Sequence, residues 1–133
     1  MKIHHLGIVI KNMPDALLAL DKSLDDVLEK VADHEQNNNL YFLHLPENNL
    51  WIELVEPMNE QSTVTTFLKK NGMALHHIGL QITDLAQIEE SYRNRKGTFL
   101  LGAYNIFVRS FGGNLKTRFV FVNGLLLEYV QSD

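Results

Sequence analysis

Two histidines and two glutamates occupy matched places in this sequence. His5 lies in His4-His5-Leu6-Gly7-Ile8-Val9-Ile10, and His77 lies 72 residues on in His76-His77-Ile78-Gly79-Leu80-Gln81-Ile82. Glu53 lies in Leu50-Trp51-Ile52-Glu53-Leu54-Val55, and Glu128 lies 75 residues on in Leu125-Leu126-Leu127-Glu128-Tyr129-Val130. A lone strand histidine is usually a hydrogen-bonded core or rim residue, and a lone strand glutamate is usually solvated. Here the pair occurs twice, so two halves that face each other bring two imidazoles and two carboxylates together. That donor set suits one divalent ion of the borderline class: Ni, Co, Zn, Mn or Fe. Four protein ligands on a six-coordinate ion leave two positions for a substrate with adjacent oxygens. The ion then acts as a Lewis acid on a carbonyl and stabilises the enolate formed when a neighbouring C–H is deprotonated.

Strands must hold these donors, because successive strand side chains alternate between faces. His5 shares a face with Ile3, Gly7 and Val9, where the missing side chain of Gly7 leaves space, and His4 joins the apolar set Leu6, Ile8 and Ile10. His77 likewise falls with Gly79 and Gln81, Glu53 with Trp51 and Val55, and Glu128 with Leu126 and Val130. Asn123-Gly124 is a strong two-residue hairpin signal, and it places Phe119 opposite Glu128 and Phe121 opposite Leu126. A turn over Pro46-Glu47-Asn48-Asn49 places Phe42 opposite Glu53 and His44 opposite Trp51. Asn12, Pro14 and Asp15 open a helix that Leu17, Leu20, Leu24, Val27 and Leu28 continue, ending before Val31. Residues 63–71 form a short linking helix stopped by Gly72, and Asp84 with Gln87 starts another helix reaching about Lys96. Two weak strands are expected around 98–101 and 105–109, with Ser110–Leu115 as a mobile loop.

With 133 residues, the chain is one domain's worth of sequence. Its net charge of −4 argues against nucleic acid and anionic membrane surfaces, which want a basic footprint. The absence of cysteine excludes disulfides, thiolate nucleophiles and cysteine metal sites. No apolar run approaches the roughly 20 residues that span a bilayer, and Met1-Lys2 leads straight into the first strand, so the cytoplasm is the expected location.

The segments His4-His5-Leu6-Gly7-Ile8-Val9, Trp51-Ile52-Glu53-Leu54-Val55-Glu56-Pro57, Leu75-His76-His77-Ile78-Gly79-Leu80 and Leu126-Leu127-Glu128-Tyr129 resemble the vicinal oxygen chelate superfamily. That superfamily includes glyoxalase I, methylmalonyl-CoA epimerase, extradiol dioxygenases and bleomycin-resistance proteins. The stretch from Phe67 to Gly72 running into Leu75–Gly79 looks most like the epimerase branch. The resemblance implies an α+β fold of two paired βαβββ modules, about 1–58 and 74–133, joined by a linking helix at about 62–72. Their curved mixed sheet would surround a central divalent metal held by His5, Glu53, His77 and Glu128. It implies an isomerase or lyase acting through a metal-stabilised enolate on a small 2-oxo or acyl-thioester substrate, a CoA or glutathione thioester among them. Members often dimerise, so a homodimer is among the assemblies it allows.

Enolate chemistry needs a base within hydrogen-bond reach of the C–H. Glu128 or Glu53 could serve if it loosens from the metal; of the non-ligand candidates, His44 is favoured by its predicted facing and Glu35 by the family position, although the segment 33–39 departs from the family pattern. Trp51, Phe42, Phe119 and Phe121 would line the substrate site. Arg109 would meet an anionic group, whereas Arg118 falls on the opposite face with Tyr129. A resistance-type binding protein without catalysis and an extradiol dioxygenase are the alternatives. Retention of all four donors counts against both, since the dioxygenase iron takes two histidines and one carboxylate.

Overall fold

The computed structural model describes residues 1–133. The elements run β1 (Lys2–Val9), α1 (Met13–Ala19), β2 (Glu29–Asp33), β3 (Asn38–Leu45), β4 (Leu50–Pro57), α2 (Thr65–Asn71), β5 (Ala74–Gln81), α3 (Leu85–Arg93), β6 (Thr98–Val108), β7 (Gly113–Val122) and β8 (Leu125–Ser132). A βαβββ order therefore occurs twice, on either side of α2. The strands form one mixed sheet in the order β2-β3-β4-β1-β5-β8-β7-β6, and the class is α+β. The chain divides into two compact units, one of Leu6–His76 and one of Met1–His5 with His77–Asp133. No helix is long and apolar enough to cross a membrane.

In the unit Leu6–His76, β2, β3 and β4 form an antiparallel run that pairs Phe42 with Glu53 and His44 with Trp51. α1 begins at Asn12, whose Oδ1 accepts the Asp15 N–H at 2.9 Å, with Pro14 in the first turn. It ends at Ala19 rather than near Val31. Leu24 and Val27 keep a helical spacing, but Asp21 turns the chain at φ 55°. Ser23 and Asp26 then cap a separate 3-10 turn over Leu24–Asp26. From Glu29 the backbone pairs with β3, and this edge strand carries little apolar content to announce it. Ile10, Ala16, Leu17, Tyr41, Leu43, Ile52 and Leu54 make the core.

In the other unit, β8 pairs in parallel with β5 and antiparallel with β7. Asn123 and Gly124 both have positive φ, 51° and 87°, as the tight hairpin requires. Residues 98–108 form one strand, not two weak ones, with a register shift between Leu100 and Ala103. Gly102 sits at that irregularity, and a Cβ there would lie 2.3 Å from the Tyr104 hydroxyl. The expected mobile loop is instead a 3-10 turn over Arg109–Phe111, after which Gly113 already pairs with Val108. Leu85, Val120 and Tyr129 centre the core under α3.

One polar contact ties three elements of the first unit together. Tyr41 donates its hydroxyl to Glu56 Oε1 at 3.0 Å, and Glu56 Oε2 accepts the Met13 N–H at 3.2 Å. Burial, reinforced by the Glu56 carboxylate, pushes the Tyr41 phenol from 10.0 up to about 12. The folded state thus favours the neutral phenol: this stabilisation is intact below pH 10 and lost as pH rises through about 12. Tyr41→Phe should cost about 1 kcal/mol at neutral pH, the worth of one hydrogen bond. Denaturant midpoints measured across the alkaline window should then fall less steeply for Tyr41→Phe than for the wild type.

Candidate metal centre

His5, His77 and Glu128 belong to the same compact unit and converge on one point. His5 Nε2 lies 3.0 Å from His77 Nε2 and 3.0 Å from Glu128 Oε1, and His77 Nε2 lies 3.3 Å from the same oxygen. Donors about 2.1 Å from one divalent ion, at right angles to each other, are separated by roughly 3.0 Å; tetrahedral donors are slightly farther apart. The spacing therefore fits a shared cation. All three residues are buried, with relative exposures of 3%, 4% and 7%.

The strands supply this convergence through face alternation and one glycine. Gly79 is paired with Glu128 across β5 and β8, and the His5 ring lies over it. A Cβ on Gly79 would lie 2.3 Å from His5 Cε1, so only glycine makes room for the ring there. Phe119, opposite Glu128, packs edge-on against His77 with centroids 5.3 Å apart. At the back of the His5 ring, Nδ1 lies 2.8 Å from His4 Nδ1, which leaves Nε2 aimed at the other donors. His4 in turn packs against Phe111 at 4.3 Å.

Electrostatics favour the donor form of the carboxyl group. Burial alone would raise the Glu128 pKa, but hydrogen bonds from His5 and His77, with their charge, hold it well below the carboxylate range. A divalent cation among these atoms would satisfy both nitrogen lone pairs and the carboxylate together, which a single shared proton does not do. The donor set thus fits the metal class named above.

The remaining predicted residues distribute as follows. Glu53 is buried on β4 opposite Phe42, itself fully buried, in the unit Leu6–His76. His44 lies in that unit at the hairpin end, its Nε2 3.1 Å from Asn49 Oδ1 and its ring 4.8 Å from Trp51. Glu35 is exposed in the turn 34–37. Arg109 is exposed in the 3-10 turn after β6, and Phe121 is exposed opposite Leu126. Arg118 faces α3, with Nη1 3.3 Å from Glu89 Oε2.

Sequence reasoning passed over Asp33, the last residue of β2. It is buried, and it accepts hydrogen bonds from Gln36 Nε2 at 2.9 Å and the Gln36 N–H at 3.4 Å. Burial raises its pKa against those hydrogen bonds, and the Glu53 charge adds to the rise. The only signal was the Asp-x-x-Gln spacing of a side-chain-capped turn.

The chain belongs to the glyoxalase/bleomycin resistance protein/dioxygenase superfamily, whose family model matches residues 4–108. The mitochondrial methylmalonyl-CoA epimerase of Dictyostelium discoideum is 33% identical over 87 residues, 63% of this chain and 51% of that protein. The uncharacterized protein YqjC of Bacillus subtilis (strain 168) is 30% identical over 87 residues, 65% of this chain and 61% of that protein. The aligned part of the chain therefore spans about half to three fifths of these relatives. Among solved structures, methylmalonyl-CoA epimerase from Mycobacterium tuberculosis matches with a TM-score of 0.80 at 21% identity, over 98% of this chain and 87% of that one. A variant of the Streptomyces coelicolor epimerase, in complex with 2-nitronate-propionyl-CoA, matches with a TM-score of 0.78 at 24% identity, over 99% and 97%. These two likenesses show the fold.

Gly79→Ala should push the His5 ring off its position without removing any donor. Calorimetric titration with Ni²⁺ should show binding weakened about 10- to 100-fold, the range for groups that orient a ligand. Circular dichroism should show the fold retained.

Proposed function

We propose that the chain is a divalent-metal-dependent isomerase of the epimerase type, acting through an enolate on an acyl thioester. The observation that carries this is the meeting of two imidazole nitrogens and one carboxylate oxygen, all buried, within 3.3 Å of one another. His5, His77 and Glu128 hold the ion, and Glu53 supplies the fourth donor by its matched place in the repeat and its burial on β4. When bound, the ion polarises the thioester carbonyl and stabilises the negative charge that develops on its oxygen.

The chain's own residues do the rest. His4 fixes which nitrogen of His5 turns inward, and Phe119 closes one side of the His77 ring against water. Proton transfer needs a base placed on the C–H. Of Glu128, His44 and Glu35, Glu128 alone shares a compact unit with both imidazoles. As one of the residues that would hold the ion, it could take the role only by loosening from it. Trp51 and Phe121 offer apolar surface to the substrate and Arg109 offers a charge to an anionic group, whereas Phe42 is fully buried and offers none. The epimerase named among the relatives makes methylmalonyl-CoA the first substrate to test.

Metal-loaded protein incubated with methylmalonyl-CoA in deuterated water should exchange the hydrogen on the carbon between the carbonyls. Mass spectrometry should record one added deuterium, and Glu128→Ala, still folded, should lower the rate at least a thousandfold. Absence of exchange in protein shown to hold its ion would remove the epimerase reading and leave the metal centre standing.

A further inference from the structure

Thr117 lies on β7 two residues from Phe119, on the sheet face that carries Glu128. Its direct neighbours across the ladder are Val130 on β8 and Tyr104 on β6. Leu115 and Phe119 flank it along its own strand, and all but Tyr104 are buried. Thr117 is itself only 3% exposed, and its Oγ1 has no hydrogen-bond partner. A hydroxyl taken out of water among apolar groups destabilises the fold, and valine would fill the same volume without that penalty. The group therefore calls for a partner that the polypeptide does not supply.

Its position says what that partner is. Phe119 stands directly opposite Glu128, so Thr117 is the diagonal neighbour of Glu128, roughly 7–8 Å away. That is too far for Thr117 to be a ligand of the same ion and about the right reach for the far oxygen of a small molecule held on it. Tyr104, paired with Thr117, is on the same sheet face, its ring 6.1 Å from that of Phe119. We propose that the Thr117 hydroxyl is a binding subsite that hydrogen-bonds an oxygen of the metal-chelated ligand and thereby sets its orientation. The proposal rests on the metal reading above and selects for substrates with a further oxygen beyond the chelating pair. No titration is involved, since the threonine hydroxyl is neutral throughout.

Oxalate is a suitable probe, because it offers a chelating oxygen pair with further oxygens on the far side. Calorimetry would measure its binding to the Ni²⁺-loaded wild type, Thr117→Val and Thr117→Ser. Thr117→Val should bind oxalate about tenfold or more weakly, Thr117→Ser should bind within about twofold of the wild type, and Ni²⁺ affinity should be the same in all three. Without metal, Thr117→Val should melt at or above the wild-type temperature, as expected when a desolvated hydroxyl is removed. Thr117→Ala reads the same hydroxyl if the valine variant does not fold. Equal oxalate affinity in the wild type and the hydroxyl-free variants, with Ni²⁺ bound, would overturn the Thr117 inference alone and assign the hydroxyl to a structural water. Failure of the wild type to bind Ni²⁺ would overturn both this inference and the metal reading, whereas failure of the loaded wild type to bind oxalate would overturn this inference and leave the metal reading standing.

Discussion

A carboxylate and two imidazoles cannot be buried together on one point unless something positive lies between them or a proton is shared. In Met1–His5 with His77–Asp133 that requirement falls on His5, His77 and Glu128. Desolvation works against the Glu128 charge, and only the two histidine contacts reverse it. Other features of the unit follow from keeping those contacts short. Gly79 is bare because the His5 ring lies over it, His4 backs the far nitrogen of His5, and Phe119 stacks edge-on against His77. The apolar packing of α3 on the opposite face, through Leu85, Val120 and Tyr129, fixes the strands whose alternation aims the donors.

The unit Leu6–His76 follows the same logic with different parts. Phe42 and Glu53 face each other across a rigid antiparallel ladder, and Glu56 ties that ladder to the start of α1 through Tyr41 and Met13. Asp33 closes β2 with a side-chain-capped turn. The superfamily to which the chain belongs hosts several chemistries on one fold, so the fold narrows the reaction less than the donor set does. Two imidazoles with carboxylate are the donors a borderline divalent Lewis acid prefers, and no sulfur ligand is among them.

Much of this was readable from the sequence because it rests on period-two alternation and on duplication. The repeat exposed His5, His77, Glu53 and Glu128, and Asn123-Gly124 fixed the register that puts Phe119 opposite Glu128. What was not readable depended on tertiary context. Leucines and valines at helical spacing extended α1 on paper, while the positive φ of Asp21 and the Ser23–Asp26 cap ended it in fact. β2 has too few apolar residues to read as a strand, and it exists because β3 offers it hydrogen-bonding partners. The room beside His5 comes from Gly79, distant in sequence, and neither the burial of Asp33 nor the stranded hydroxyl of Thr117 leaves any mark on local pattern.

The proposed chemistry requires His5 and His77 to bind one ion together, a claim open to X-ray absorption spectroscopy on protein loaded with one equivalent of Ni²⁺. The claim predicts a first shell of nitrogen and oxygen at about 2.1 Å with the outer-shell scattering of two imidazole rings, reduced to one ring in His77→Ala. A shell without imidazole scattering, or unchanged by His77→Ala, would contradict it.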